Sequence, residues 1–342
     1  MAINLYPWLQ DAKAQLDRLS ENLPGAIMIH GPRGTGAYEL GRYFAERFLC
    51  ESPVNGEACG HCSGCLLVEK GNHPDFALVL SETEAEIRGL EINTKSTDRK
   101  SPSRQISIDQ IRELGDFLGV TSHRGGKKVV LIYPANMMLP DASSSLLKNL
   151  EEPPENVVMI LVTEDIDSML PTIRSRCQTV RIRAPRWDDA LAYLESQGVP
   201  SAESLLAAVG GMPLLAFEQD SKLRIPDTKQ AQLFNVLLSG RNVDKGNLLD
   251  VASKDLFLPA FVPFMQRFVS DLIYSASGLR IRYFRDKERQ IAGLAKQVSL
   301  KSLYTFFDEL SKLSRISSHP LNASLTIQEI LMKYCNLFAV RR

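Results

Sequence analysis

The chain has 342 residues, of which 44% are hydrophobic, 23% charged and 7% aromatic, a composition typical of folded globular domains. Its 40 lysines and arginines equal its 40 aspartates and glutamates, which argues against a protein that binds nucleic acid through overall positive charge. The sequence shows no signal-peptide pattern and no apolar stretch that could span a bilayer, so we expect a cytoplasmic protein without membrane attachment. In that reducing compartment, the six cysteines are expected to be free or metal-bound.

The first half of the chain alternates between strand and helix patterns. A short apolar run, Ala26–His30, predicts a buried strand, and apolar residues at helical spacing follow over Ala37–Leu49. Further strands are predicted at Asp75–Leu80, Lys127–Tyr133, Val157–Val162 and Thr179–Ile182. This order predicts an α/β fold with a parallel sheet covered by helices on both faces.

The segments between these strands also carry local signals. Asp109 is expected to cap a helix that runs to about Leu118, and a second helix is predicted over Ser143–Leu150. The polar stretch Glu82–Gln105 is interpreted as a mobile loop.

A glycine turn joins the first predicted strand to the helix after it. Gly31 and Gly36, with Gly34 between them, have the spacing of the phosphate-binding motif G-x-x-x-x-G-K-[ST]. Ala37 stands where that motif has lysine, and Tyr38 where it has serine or threonine. Lysine supplies charge to the β- and γ-phosphates and the hydroxyl binds magnesium, so tight ATP binding is not expected. An unrelated glycine turn that only packs helix on strand is the alternative.

A second part of an ATPase site is also missing from the sequence. Active ATPases of this class end the central strand with an acidic pair, one residue for magnesium and one for the attacking water. The strand that contains Val129-Val130-Leu131-Ile132 is followed here by Tyr133 and Pro134. The residues that would hydrolyse ATP are therefore absent at both positions.

Four cysteines lie within sixteen residues. Cys50, Cys59, Cys62 and Cys65 have the spacing C-x8-C-x2-C-x2-C, which predicts a closed tetrahedral zinc site of structural character, inserted between the first helix and the second strand. An iron–sulfur cluster is the alternative, since ferredoxin runs begin with C-x2-C-x2-C, although no Cys-Pro follows here. Two cysteines, Cys177 and Cys335, stand alone.

The second half of the chain is predicted to be helical. Ala184-Pro185 marks a boundary, so residues 1–184 form the first predicted domain. Residues 185–224 form a small helical domain with a Gly210-Gly211 turn, Lys222–Thr228 is a linker, and residues 225–342 form a helical C-terminal domain.

Three motifs resemble those of a known family. Ser175-Arg176-Cys177 resembles the Ser-Arg-Cys motif of clamp-loader AAA+ proteins, and Leu146–Pro154 (LLKNLEEPP) is similar to their helix-and-turn signature. His73-Pro74-Asp75, which follows the cysteines, also fits this family. With the degenerate glycine loop and the cysteine cluster, the chain resembles the delta-prime branch of the bacterial DNA polymerase III clamp-loader family.

The resemblance implies a fold and a role. It implies a RecA-like AAA+ domain with a zinc insert, a helical lid and a helical collar that joins a hetero-pentameric core. It also implies that Arg176, flanked by Ser175 and Cys177, is an arginine finger that enters the ATP site of an adjacent motor subunit, with Arg174 structural. Active relatives have a nucleotide-sensing arginine where this chain has Pro213 after Gly210-Gly211.

The same resemblance implies partners. These are the gamma/tau and delta clamp-loader subunits and, through the complex, the sliding clamp and primer–template DNA. Two alternatives stay open: an active P-loop ATPase with an atypical loop, and a stand-alone zinc-containing DNA-binding protein.

Two groups of basic residues are candidates for contact with DNA. Arg124, Lys127 and Lys128 flank a glycine loop, and a basic run extends from Arg280 to Arg289. For that run, a solvated helix face or a subunit contact is the favoured interpretation.

Overall fold

The computed structural model describes residues 5–90, 102–217, 225, 227–242, 251, 256–316 and 322–338. It divides into two compact units, Met1–Asp189 and Ala190–Arg342. The division into three domains at residues 184 and 224 stays a prediction, and most of the Lys222–Thr228 linker lies outside the described residues. Within the described ranges, none of the helices combines the length and apolar character that a bilayer crossing requires.

A five-stranded parallel sheet organises the first unit. Its strands lie in the order β2-β3-β4-β1-β5, and every neighbouring pair is parallel. This confirms the predicted α/β class, and the predicted strand ends differ from the observed ones by one residue at most. The strands are β1 (Ala26–His30), β2 (Phe76–Leu80), β3 (Lys128–Tyr133), β4 (Val157–Thr163) and β5 (Gln178–Arg181).

Helices cover both faces of this sheet. Ile27 and Ile29 belong to the apolar cluster on one face, whereas Met28 between them belongs to the cluster on the other, because successive strand side chains point to opposite faces. β3 and β4 are buried along their whole length, as expected for strands covered on both sides. The helices are α1 (Gln10–Glu21), α2 (Ala37–Leu49), α3 (Ser63–Glu69), α4 (Glu82–Ile87), α5 (Ile108–Gly119), α6 (Pro140–Glu151) and α7 (Pro171–Arg174).

Two local predictions in this unit are wrong. The stretch interpreted as a mobile loop begins with helix α4, whose first turn is capped by the Ser81 side chain, which accepts a hydrogen bond from the Glu84 backbone N–H. Part of that stretch, residues 91 to 101, lies outside the described residues. Asp109 does not cap α5. Ser107 caps it in a reciprocal capping box with Gln110. This arrangement is stronger than a single cap because each side chain accepts a hydrogen bond from a backbone N–H that has no partner within the helix.

The second unit is helical. Helix α8 spans Trp187–Ser196, and Gly210 and Gly211 form a turn with positive φ angles of 73° and 82°. An aromatic cluster that includes Phe234, Phe268 and Tyr334 lies in its core. The remaining helices are α9 (Ala202–Ala208), α10 (Asp227–Leu238), α11 (Leu258–Ala276), α12 (Glu288–Ala295), α13 (Leu300–Ile316) and α14 (Ala323–Asn336).

The basic run of the second unit is not a simple helix face. The buried carboxylate of Asp271 accepts hydrogen bonds from the backbone N–H groups of Arg282, Tyr283 and Phe284. These bonds hold the segment in a non-helical path, and Arg285 farther along forms an ion pair with Glu203 at 2.8 Å. The interpretation as a helix face is therefore wrong for residues 282–284, whereas Arg289 of the same run is exposed on α12, and a subunit contact stays a prediction.

Candidate functional site

The glycine turn between β1 and α2 is tightly constrained. Gly34 and Gly36 have φ angles of 79° and 87°, which side chains other than glycine adopt only with strain. A Cβ on Gly31 would lie 2.7 Å from the Cβ of Ile182. The hydroxyl of Thr35 closes the turn by donating to the carbonyl of Pro32 at 2.7 Å. The loop backbone is thus built as the sequence predicts.

Aromatic side chains from the start of the chain cover this loop. The indole N–H of Trp8 donates to the carbonyl of Thr35 at 2.9 Å. The rings of Tyr6 and Trp8 stack with centroids 5.2 Å apart, and a Cβ on Gly36 would meet the Tyr6 ring at 2.6 Å. The space beside the loop is therefore filled by the chain itself.

The two positions that depart from the phosphate-loop motif are buried. Ala37 is 7% exposed and Tyr38 is 5% exposed. The ring of Tyr38 packs against that of Tyr133, with centroids 5.3 Å apart. Tyr133 ends β3, where active ATPases have acidic residues, and its hydroxyl donates to Glu164 Oε1 at 2.7 Å. Burial, followed by the nearby Glu164 and Glu84 carboxylates, raises the pKa of Tyr133 well above its usual value.

Charged side chains surround the two tyrosines. The Arg88 guanidinium forms an ion pair with the Glu84 carboxylate, which is almost completely buried. Arg33 of the glycine turn lies 3.4 Å from Glu84 and 3.9 Å from Glu164. Burial alone would lower the pKa of Arg88, but Tyr133 and Glu84 raise it, so this arginine keeps its charge in a largely buried position.

None of the charged groups in this network was predicted from the sequence. The available signal was the spacing Ser81-x-x-Glu84, which is the start of a capping box, together with Glu84 and Arg88 four residues apart. The high charge of the stretch from Glu82 to Gln105 concealed this signal because polar segments without apolar periodicity are usually loops.

The four predicted cysteine ligands come together. All four sulfur atoms lie within 4.8 Å of one another, with Cys50 and Cys62 3.9 Å apart and Cys59 and Cys65 4.0 Å apart. A tetrahedron with metal–sulfur bonds of about 2.3 Å has corners about 3.8 Å apart. The four thiols therefore fit one metal ion. An iron–sulfur cluster, which places several atoms between its thiolates, needs a wider spacing.

Backbone N–H groups are directed at these sulfur atoms. The N–H of Cys65 and that of Glu51 donate to Cys62 Sγ, both at 3.4 Å, and the N–H of Cys62 donates to Cys59 Sγ at 3.3 Å. Burial opposes ionisation of Cys62, but the backbone of Cys65 and the neighbouring thiols lower its pKa to about 7. Such donors orient thiolates for a metal and stabilise their charge.

Arginines fasten the cysteine module to the rest of the unit. Arg42 Nη2 donates to the carbonyls of Val68 and Glu69 at 3.1 and 3.0 Å, which caps the end of α3. Arg47 Nε donates to the carbonyl of Gly56 at 2.7 Å. On another side, Arg124 pairs with Glu51 and donates to Ser63 Oγ at 2.7 Å. The module is thus part of the packed unit, and Val68 lies in its apolar core.

One of the basic residues proposed to approach DNA is not available for that purpose. Lys128 is 4% exposed, and its ammonium group donates to the carbonyls of Phe117 and, at 2.7 Å, Val120. It closes the end of α5, so its assignment as a DNA contact is wrong. Nearby, the buried Asp75 carboxylate accepts from the backbone N–H groups of His123 and Arg124 at 2.8 and 3.1 Å and fixes this turn.

The Ser-Arg-Cys segment connects α7 to β5. Arg176 is about one-third exposed, and its Nη2 lies 2.6 Å from Glu151 Oε1 at the end of α6. Its Nη1 donates to the carbonyl of Thr172 at 2.9 Å. Ser175 Oγ donates to the same carbonyl at 3.1 Å, and burial raises the pKa of Cys177 to about 12, so this thiol is a packing residue.

Arg174 differs from Arg176 in its surroundings. Its Nη1 lies 3.5 Å from Asp167, whose side chain is 87% exposed. Near this pair, burial first and then the positive charges of Arg181 and Arg174 lower the pKa of His30. The structure thus brings both arginines of the segment to the surface, each with one acidic partner.

Known proteins are similar to this chain over the region that holds these features. The family described as "DNA polymerase III, delta subunit" matches residues 10–186, more than half of the chain. DNA polymerase III subunit delta' of Pseudomonas aeruginosa is 35% identical over 217 residues, which cover 62% of this chain and 60% of that protein. The subunit delta' of Escherichia coli K12 is 31% identical over 60% of this chain and 56% of that protein.

A third relative aligns over a longer range. The subunit delta' of Haemophilus influenzae is 26% identical over 319 residues, which cover 92% of this chain and 88% of that protein. The chain matches less than two thirds of the length of the first two relatives.

Proposed function

The chain belongs to the DNA polymerase III delta subunit family, with subunits delta' as its relatives, and on that premise we propose that it is the non-hydrolysing subunit of a clamp loader. In this role it assembles with delta and gamma/tau subunits. The complex uses ATP to load the sliding clamp onto primed DNA, and this chain supplies Arg176 to a neighbouring motor subunit.

The observation that carries this proposal is the state of the chain's own phosphate loop. Ala37 and Tyr38 are buried where a working loop has lysine and a hydroxyl, and Tyr133 ends the strand that would carry the acidic pair. ATP turnover requires a cation at the β/γ-phosphates and a bound magnesium ion. The chain has neither set of ligands at the corresponding positions, so its contribution to an ATP-driven reaction lies outside this loop.

Arg176 has the properties of a group that acts in another subunit. A guanidinium stabilises negative charge that develops on a transferred phosphoryl group, and when supplied from a neighbour it is worth about 10³–10⁵ in rate. Arg176 is at the surface, and its ion pair with Glu151 joins two side chains that are 34% and 52% exposed. Exposed pairs of this kind are weak, so a phosphate can replace the glutamate.

The cysteine module has a structural part in this proposal. Its four sulfur atoms fit one tetrahedral ion and leave no open ligand position, and zinc is the ion that this donor set prefers. Cys50, Cys59, Cys62 and Cys65 would hold the ion. The ion would fix the loops that Arg42, Arg47 and Arg124 bind, and it would take no part in the ATP reaction.

The test is the steady-state ATPase of a complex reconstituted from this chain and its partner subunits, with clamp and primed DNA. Arg176→Ala should lower turnover in part, because one of several sites loses transition-state stabilisation and keeps most ground-state binding. Arg174→Ala is the matched control, since it removes a surface arginine from the same segment. Unchanged turnover by a fully assembled Arg176→Ala complex, with assembly checked by gel filtration, would remove Arg176 from the mechanism.

A further inference from the structure

Two tyrosines occupy the positions from which an active phosphate-loop ATPase binds magnesium. In such enzymes the ion is held by the hydroxyl that follows the loop lysine and by an acidic residue at the end of the central strand. Here these positions are Tyr38 and Tyr133, whose rings lie 5.3 Å apart. Both residues are only 5% exposed, so the place between them is inside the protein.

A cation of the chain itself lies against both rings. The guanidinium carbon of Arg88 is 4.1 Å from the ring centroid of Tyr38 and 4.9 Å from that of Tyr133. Both distances are within the roughly 6 Å over which a cation is attracted to an aromatic face. A planar guanidinium is well suited to this contact because it stacks on rings and is weakly hydrated.

Charged groups of both signs surround this contact. Arg33 and Arg88 are positive and Glu84 and Glu164 are negative, with Arg33 3.4 Å from Glu84 and 3.9 Å from Glu164. Arg104 lies close enough to interact with both carboxylates. Glu164 also accepts a hydrogen bond from the hydroxyl of Tyr133. A divalent cation placed between the two tyrosines would therefore meet the positive charge of Arg88.

The short helix that carries Glu84, with Arg88 at its end, is held at several points. Ser81 caps its first turn, and the carboxylate of Glu82 accepts the backbone N–H of Ser103 at 2.6 Å. The backbone N–H of Thr83 in turn donates to the carbonyl of Ser103 at 3.0 Å. The position of the Arg88 guanidinium is therefore set by a helix that is itself held in place.

We propose that Arg88 is a built-in substitute for the magnesium ion of this degenerate site. It joins the glycine-loop helix, the end of β3 and α4 in one arrangement that does not depend on nucleotide. This inference rests on the proposed function, in which the chain has no ATP chemistry of its own, and it states what replaces that chemistry. Its consequence is that restoring the lost phosphate-loop residues does not restore the site while Arg88 is present.

The first experiment is a titration of Mg-ATP into two restored chains. Both carry Ala37→Lys, Tyr38→Thr and Tyr133→Asp, and one of them also carries Arg88→Met, which keeps an apolar stem and removes the charge. We expect the chain with Arg88→Met to bind Mg-ATP at least about tenfold more tightly than the restored chain that keeps Arg88. A tenfold change in Kd equals about 1.4 kcal/mol, which is the size expected from removing one repulsion between Arg88 and magnesium. Equal behaviour of the two chains, with or without measurable binding, would overturn the inference.

The second experiment measures amide hydrogen exchange in the otherwise unchanged protein. Arg88→Met should accelerate exchange at least about tenfold in the glycine turn and at the end of β3 and leave the second unit unchanged. Arg112→Met is the matched control, because Arg112 is an exposed arginine of the same unit that pairs with Asp109. If Arg88→Met prevents folding, Arg88→Lys, which keeps the charge without the planar stacking group, takes its place and should accelerate exchange in the same segments.

These outcomes separate the inference from the proposed function. Tight Mg-ATP binding by the wild-type chain would contradict the proposed function itself. A wild-type chain that does not bind Mg-ATP, and whose exchange in the glycine turn is the same before and after Arg88→Met, would contradict only the assignment of Arg88.

Discussion

The degenerate phosphate loop and the Ser-Arg-Cys segment lie in the same unit, and each has an arginine with an acidic partner. The two arginines differ in how exposed they and their partners are. At the loop, Arg88 is enclosed by two tyrosine rings and paired with a carboxylate that is nearly inaccessible. In the other segment, Arg176 is one-third exposed and paired with the half-exposed Glu151. Arg88 is mostly buried against fixed partners, with a side chain that is 20% exposed, whereas Arg176 can exchange its partner.

This difference explains how one site can lose its function while the chain keeps another function elsewhere. A buried charge must stay paired, because an unpaired one costs several kcal/mol, so the groups around Arg88 are fixed together. A surface pair contributes little, so the segment around Arg176 can change partners without loss of stability.

The largest effect is expected from removing the metal ligands. Cys59→Ser together with Cys62→Ser should abolish metal binding and lower the free energy of unfolding of the first unit by about 4 kcal/mol or more. The reason is that the module is joined through Arg42 and Arg47 to α2, the helix that begins at the glycine turn. Elemental analysis measures the metal, and urea unfolding measures the stability.

The result also bears on the identity of the metal. One zinc per wild-type chain agrees with the distances between the sulfur atoms, and iron or visible absorbance would contradict the zinc assignment. Unchanged stability of the double variant would show that the module is separate from the region around the glycine turn, and the contrast would then apply to a smaller part of the unit.

The next effect compares the two arginines directly. Arg88→Ala should lower the free energy of unfolding by about 1.5–3 kcal/mol, because the buried carboxylate of Glu84 loses one of its two arginine partners and keeps only Arg33, at 3.4 Å. Arg176→Ala should change it by less than about 0.5 kcal/mol, as surface substitutions usually do. Urea unfolding of both variants at the same pH and salt concentration gives the comparison, and similar values for the two variants would contradict it.

Much of this architecture can be predicted from the sequence, and the exceptions have physical causes. Apolar runs predict β1 to β4 almost to the residue because buried strands tolerate few polar groups. The four cysteines are predictable because metal spacing is local. The network of Arg33, Glu84, Arg88 and Glu164 joins residues far apart in the chain, and no local pattern indicates that a charged helix will be buried against tyrosines.

A second kind of exception concerns residues whose type suggests the surface. Lys128 has the appearance of a DNA contact in the sequence, but its ammonium group satisfies carbonyls at the end of α5. Asp109 has the character of a helix cap, yet Ser107 takes that position because Gln110 completes the capping box. In both cases, competition between neighbouring hydrogen-bonding groups decides which residue takes the position. The residue type alone does not predict the outcome of that competition.

The smallest effect concerns the partner of Arg176. Glu151→Gln should raise ATP turnover at the one neighbouring site by about 1.4- to 5-fold, and turnover of the whole complex by less, because it removes a charge that competes with the neighbour's phosphate for the guanidinium. Glu152→Gln, at the next and also exposed position, is the matched control. A fall in turnover with Glu151→Gln would show instead that the glutamate holds Arg176 in its working orientation.

The most direct test is an isothermal titration of Mg-ATP into the isolated, metal-loaded wild-type chain. On the proposed function, this chain offers an arginine to another subunit and has no nucleotide site of its own, since Tyr38, Tyr133 and Arg88 fill that place. We therefore expect no binding in the micromolar range under conditions in which a gamma subunit binds. Saturable micromolar binding of Mg-ATP by this chain would contradict that expectation and the function proposed from it.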